Sequence, residues 1–267
     1  MTVIRAVEQT PDTFIAYNNI MIDSNAVAFS ATNTTAGFPA TNILNYFSFD
    51  GFKPDDTLTS CEIETTLQWN RDIDYIAIYN TTLNETNSTI ELQHRTGGIW
   101  YTLVAPFSVN DDNAPTIKTF TKTSVVNFRI LIDGYAVGDP PIISVISVGA
   151  ILPLENGLAT SFASPYNAQR YESITNESES GNFIGRSVRK KAAPFTIETQ
   201  LLQYDWMVDN WRDFVKHAER RPFFFQWSHT DYPDESIFCW TENNISTPTF
   251  DDSHFMTMSI QAKGLVE

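Results

Sequence analysis

Apolar and polar residues alternate in short runs along most of this chain. Runs that have a period of two, or are apolar throughout, occur at 63–69, 74–80, 89–95, 99–104, 125–132 and 143–154. Each reads as a β-strand, because successive side chains on a strand point to opposite faces. Two shorter candidates, 13–17 and 26–30, precede them. Gly97-Gly98, Asp111-Asp112-Asn113 and Asp133-Gly134 supply turns, and Pro140-Pro141 stands ahead of the last run rather than inside it. No helical pattern separates these strands, so the prediction is an antiparallel sandwich and not a parallel βαβ fold.

The pattern changes after residue 203. Tyr204, Met207, Val208, Trp211, Phe214, Val215 and Ala218 recur at steps of three and four, which predicts one amphipathic helix over 204–219. Asp205 can cap its first turn, and Lys216, His217, Arg220 and Arg221 gather where the helix dipole favours cations. Pro222 ends the helix, and the aromatic run 223–227 that follows reads as a buried strand. Further strands are predicted at 194–202, with Phe195, Ile197, Thr199 and Leu201 on one face, and at 237–240 and 254–264. Trp206, Trp211 and Phe214 are expected in the core.

Between these regions, 155–192 is polar and Ser- and Asn-rich, with few apolar residues at either period. A connection of that length is either a linker or an arm that orders against a neighbour, and the arm is preferred. Arg186, Arg189, Lys190 and Lys191 cluster at its end, where they either meet an acidic surface or form a solvated charge run. The chain therefore divides into N-terminal strands at 1–37 that pack on or bridge the modules, a sandwich at 38–154, an arm at 155–192, and a β module with one helix at 193–267. At 267 residues two domains are expected, one large β domain being the alternative.

Charge narrows the classes of function. The net charge of −15 opposes binding to nucleic-acid phosphates but suits a surface that DNA must slide past. Cys61 and Cys239 lack the spacing of a zinc site or a CxxC motif and read as isolated buried thiols. No apolar run reaches the length of a membrane span and the first residues lack a signal-peptide core, so the expectation is a cytoplasmic protein until a larger assembly takes it up. The Asn-x-Ser/Thr triplets at Asn80, Asn84, Asn87, Asn176 and Asn244 are read as turn and strand-surface residues rather than glycan acceptors.

Motifs for serine hydrolases, zinc proteases, P-loop NTPases and dinucleotide-binding enzymes are absent, so no enzymatic role and no cofactor or metal is expected. His94, His217, His229 and His254 fall on different elements; only the loop residues His229 and Asp231 with His254 could converge, and a surface role is preferred for them. The acid pairs Asp55-Asp56, Asp111-Asp112 and Asp251-Asp252 read as turn chemistry, because adjacent carboxylates do not face each other across a cleft as a glycosidase pair does. Trp69, Trp100 and Tyr101 are the candidate sugar-stacking residues, with a core role preferred for Trp100.

Two resemblances follow from the order of the residues. Phe38-Pro-Ala-Thr-Asn-Ile-Leu-Asn45, the Leu-Gln-Trp strand ending at Trp69, Asp74-Tyr-Ile-Ala-Ile-Tyr-Asn80, the run 89–103, Phe128-Arg129-Ile130 and the run 146–152 together resemble a discoidin-type, galactose-binding-like β-sandwich over 38–152. Where that family has Asp-Leu-Gly, this chain has Gln68-Trp69-Asn70, and no ligand residue is carried over. The basic strand, the Trp-bearing helix, Arg221-Pro-Phe-Phe-Phe225 and the closing strand resemble the tail-tube-type fold of distal tail and minor tail-tip proteins of long-tailed bacteriophages.

That second resemblance implies a mainly β virion protein of the tail tip or baseplate. It would form a homo-oligomeric ring, meet neighbouring tail-tube and tail-tip proteins, and let DNA pass without tight binding or membrane insertion. Arg186, Arg189, Lys190, Lys191, Lys216, Arg220 and Arg221 are the expected subunit contacts. The rival reading is a carbohydrate-binding module or adhesin for host-surface glycan.

Overall fold

The structure, a computed structural model, describes residues 12–22, 26–32, 34–109, 111, 113–154, 156–159, 161–167, 171–190, 192–243, 245–250 and 255–265. It is mainly β; among the described residues every strand pairing is antiparallel and one helix of several turns is present. The strands are β1 (Phe14–Ala16), β2 (Ala26–Ala31), β3 (Ser60–Thr81), β4 (Thr89–Thr96), β5 (Ile99–Phe107), β6 (Thr116–Asp133), β7 (Ile143–Gly149) and β8 (Ile151–Pro153) in the first part. The second part adds β9 (Tyr171–Glu177), β10 (Phe183–Lys190), β11 (Ala193–Gln203), β12 (Phe223–Gln226), β13 (Ser236–Thr241), β14 (Thr249–Phe250) and β15 (Phe255–Leu265).

The sandwich is built by bending two long strands. Sequence predicts separate strands at 63–69 and 74–80, but β3 is one strand of 22 residues. Its pairing with β6 slips between Thr66 and Arg71, and there both strands turn from one layer into the other. The front layer runs β2, first half of β3, second half of β6, β4, β5; the back layer consists of β7, the second half of β3 and the first half of β6. Ile63, Leu67, Ile76, Ile78, Ile90, Leu92, Phe128, Ile130, Ile132 and Ile146 fill the space between them. The first half of β6 escapes the sequence reading because Thr-Ile-Lys-Thr-Phe-Thr-Lys-Thr offers too few apolar residues for a period to register.

The second sheet has the order β11, β15, β13, β12, β1, β8, with β14 paired to β15. The N-terminal strand β1 thus lies between β12 from the far end of the chain and β8 from the end of the sandwich. The helix α1 is continuous from Tyr204 to Ala218, α-helical over Tyr204–Trp206 and Arg212–Ala218 with a π-turn over Met207–Trp211 between them. Met207, Trp211, Phe214 and Ala218 are buried against Phe195, Phe223, Phe225, Ile237, Met258 and Ile260 of this sheet.

Three expectations change here. Tyr204 is exposed and stacks on Phe250 at 6.2 Å, because the wider π-turn shifts the first turn away from the buried face. Asp205 lies in the first turn but the cap position is Gln203, and no side chain caps it. Leu201 is exposed and Leu202 takes its place in the core: the register steps from Thr199 opposite Met258 to Leu202 opposite Met256, so β11 carries one extra residue. The bulge sets Leu201 at φ 59°, a left-handed conformation that costs a bulky side chain about 1–2 kcal/mol.

The two parts share a core. Phe224 and Phe238 point away from the helix, and with Phe14 and Ala16 they meet Tyr75, Ala77, Tyr79, Ile117 and Val145 on the outer face of the back layer. Tyr79 stacks on Phe238 at 4.5 Å, and the Tyr75 hydroxyl shares a 2.8 Å hydrogen bond with Ser147. Burying each such large side chain contributes about 2 kcal/mol. Contacts between separable domains are more polar than this. Asn19 fastens the joint: its Nδ2 donates to the Ile146 carbonyl at 3.1 Å, and its Oδ1 accepts from the Met21 and Val148 amides.

The polar stretch 155–192 divides in two. Its first part is tied to the second sheet: the Ala159 amide donates to the Glu198 carbonyl, Phe162 packs on Phe195, Phe225 and Trp227, and the Tyr166 hydroxyl donates to the Ser236 carbonyl at 2.8 Å. Its second part is a hairpin of β9 and β10 that, among the described residues, forms a two-stranded sheet by itself.

Candidate functional site

The outer face of the front layer carries a polar row across four strands. The alternation of β3, β6, β4 and β5 brings Glu62, Arg129, Gln93 and Thr102 to the side away from the core. Arg129 donates from Nε to Gln93 Oε1 at 2.9 Å and from Nη1 to Glu62 Oε2 at 3.0 Å. Gln93 Nε2 and Thr102 Oγ1 both donate to Glu91 Oε1 at 2.6 Å. Trp100 lies over this row, its ring centre 4.4 Å from the Arg129 guanidinium carbon and 5.6 Å from that of Arg95. Each guanidinium is held by attraction to the π face.

Beside the row a shallow cavity of about 190 Å³ is lined by Ser60, Glu62, Thr89, Glu91, Pro106, Leu131, Ile132 and Asp133. Carboxylates that accept hydrogen bonds from hydroxyls, next to Pro106 and Leu131, suit a ligand with both polar and apolar faces. Of the row and the cavity lining, sequence reasoning marked Trp100 as a sugar-stacking candidate and quoted Arg129 only within the sandwich resemblance. The period of two in β4 and β6 was the signal that places Glu91, Gln93 and Arg129 on one face.

The three predicted sugar-stacking residues are not brought together. Trp100 is half-buried on the outer face rather than in the core. Tyr101, its neighbour on the strand, faces the other side and lies 5.8 Å from the His94 ring. Trp69 is exposed in the bend of β3.

Both Asp55 and Asp111 accept hydrogen bonds from residues two further on, Thr57 and Asn113, and so act as turn residues. Asp112, Asp251, Asp252, Asn244 and His254 lie outside the described residues. His217 and His229 are both held below the usual histidine range by burial. The His217 Nε2 donates to the Pro222 carbonyl at 2.9 Å, and its ring meets Tyr17 at 5.3 Å. Both cysteines are free and buried. Among the described residues no three His, Cys, Asp or Glu side chains gather as a metal site, and no helix is long and apolar enough to cross a membrane.

The basic residues fall into two places. Arg186, exposed, and the backbone positions of Arg189 and Lys190 are on β10, while Lys191 lies outside the described residues. Lys216 forms an exposed ion pair with Asp213 at 2.9 Å. Arg220 and Arg221 follow the helix and, with Leu44, Asn45, Tyr46, Phe47 and Pro222, line a cleft of about 330 Å³ where the sandwich meets the helix end.

No family model matches this chain, and no curated protein does. Among solved structures it is similar to a fucosidase from Ruminococcus gnavus in complex with fucose, at 18% identity and a TM-score of 0.41, covering 51% of this chain and 27% of that one. A pectin-binding carbohydrate-binding module is 17% identical with a TM-score of 0.39 over 46% of this chain and 89% of its own. A family 32 carbohydrate-binding module from Clostridium perfringens in complex with galactose is 16% identical with a TM-score of 0.37, over 46% and 97%. None of these three is a virion protein. Likeness this slight transfers no function and no site residue to the chain.

Proposed function

We propose that this protein is a structural subunit of a bacteriophage tail tip, of the distal-tail kind, and acts as a scaffold rather than an enzyme. It assembles in the host cytoplasm as a homo-oligomeric ring that joins the tail tube to the receptor-binding apparatus and lets DNA pass. The tail-tip part of this reading rests on the sequence resemblance; one observation supports its self-assembly part: among the described residues the β9–β10 hairpin pairs with no other strand and leaves most of its described side chains exposed. A two-stranded hairpin is marginally stable alone and gains by burial against another surface. The body that carries it is rigid, since its modules share a core, and repeated head-to-tail contacts between rigid bodies close rings. A lumen lined by a chain of charge −15 repels phosphate.

The test is native mass measurement of the purified protein over a range of concentrations, with electron microscopy of any oligomer. A closed ring is expected for the intact chain, and monomers for a chain in which 171–190 is replaced by a short Gly-Ser turn. An intact chain that stays monomeric throughout sinks the reading.

The polar row under Trp100 favours a second role, recognition of host-surface glycan by the front layer. It is compatible with the first, because the row and the hairpin are on different elements. Glycan-array binding that is lost on Trp100→Ala supports it, and an array without binding removes it.

A further inference from the structure

The hairpin tip and the cleft at the helix end are opposite in charge and alike in apolar character. The turn is closed by hydrogen bonds from the Gly181 amide to the Ser178 carbonyl and from the Ser178 amide to the Asn182 carbonyl, with Gly181 at φ 79°. Around it stand exposed Glu177 and Glu179, together with Phe183 and Ile184, each 67% exposed. Two large apolar side chains so open to water on the end of a projection are a contact surface in want of a partner.

The cleft offers the reciprocal chemistry. Arg220 and Arg221 flank it, and neither has a carboxylate partner among the described residues. Phe47 at its rim stacks on Phe49 at 5.1 Å, and Phe49 is 81% exposed. Strands of seven and eight residues carry the tip about 25 Å from the base of the hairpin.

We propose that the hairpin tip of one copy seats in the Arg220/Arg221 cleft of the next, with Glu177 and Glu179 on the arginines and Phe183 and Ile184 on the Phe47–Phe49 pair. Tip and cleft are different surfaces of one chain, so the contact is head-to-tail and repeats from copy to copy. Nucleic acid is the poorer occupant of the cleft, because the arginines sit in a chain of net charge −15. The proposal rests on the assembly reading above and says where the arm goes.

Cross-linking with the full chain tests it. Both native cysteines are buried, and burial pushes the Cys61 thiol up to about 11, so neither competes with an introduced surface thiol. Separately purified Ser180→Cys and Ser48→Cys proteins, the latter keeping both Phe47 and Phe49, are mixed and oxidised. A disulfide-linked heterodimer is expected in the mixture, with little homodimer of either protein alone. In parallel, R220E/R221E and E177R/E179R should each weaken assembly at least tenfold, and mixing the two should restore it.

If the unsubstituted chain assembles, yet neither the cross-link nor the charge dependence appears, the tip docks elsewhere and this inference fails while the assembly reading stands. If the unsubstituted chain does not assemble at all, the assembly reading fails and this inference with it.

Discussion

The two halves of β3 are one strand in two environments. Over 60–67 its residues alternate between core and outer face, and over 73–79 every residue is buried. The first half lies in the front layer, where water reaches one face. The second half is covered on both sides, by the sandwich core and by the aromatic face of the second sheet. The same contrast separates β4, which alternates, from β7 and β12, which are buried throughout. The difference teaches that the joint between the modules is core, and that the wet face of the front layer is where side chains remain available for ligands.

Phe224→Ala should break the covered side most severely. It removes an aromatic that is 0% exposed and packs between the modules, at a cost of about 3–5 kcal/mol. If the joint is core, urea denaturation remains a single transition at lower midpoint. Two transitions in the unsubstituted protein would show separable domains and undo the comparison.

Gly149→Ala comes next. A Cβ there would sit 1.7 Å from the Asn18 carbonyl oxygen, and backbone must move to admit it. The strain falls where the N-terminal segment crosses β7, and a loss of about 3 kcal/mol in the same denaturation experiment is expected. A neutral Gly149→Ala would mean that the N-terminal segment is not held close against β7.

The pH response is smaller. Burial holds His217 and His229 in the folded protein below the unfolded value of about 6.5. At pH 7.5 neither state binds these protons. As pH falls below about 6.5 the unfolded chain takes them up first, so stability falls with pH down to the folded values. The urea midpoint should be lower at pH 5.5 than at pH 7.5, and the difference should shrink in a His217→Gln, His229→Gln chain. A midpoint that does not change over this range would contradict the burial of both rings as neutral groups.

Least costly is Trp100→Ala on the wet face, despite the size of the side chain. Its ring covers Arg129, whose ion pair with Glu62 is partly open to water, and such pairs are worth at most about 1 kcal/mol. A stability loss near that of Phe224→Ala would place Trp100 in a core after all.

Much of the secondary structure was legible because period is a local property. The helix showed its buried residues through Met207, Trp211, Phe214 and Ala218, and Pro222 marked its end. The aromatic run 223–227 read as a buried strand, and Phe223–Gln226 are buried throughout, whereas the two-sided burial of 73–79 was not read from the sequence. The candidate site was less legible. Alternation shows that a strand has two faces but not which one is wet, so Trp100 was expected inside although its row of Glu62, Gln93 and Arg129 lies outside.

By itself, then, the sequence determined the antiparallel strands, the single amphipathic helix, the acidic surface and the polar character of 155–192. Tertiary structure alone decided that β1 joins the second sheet, that β3 bends between layers, that Leu202 rather than Leu201 turns inward, and that the arm is a hairpin. Each of these depends on which distant strand supplies the hydrogen bonds or the covering surface. Partners far apart in sequence leave no periodic mark on the residues they cover.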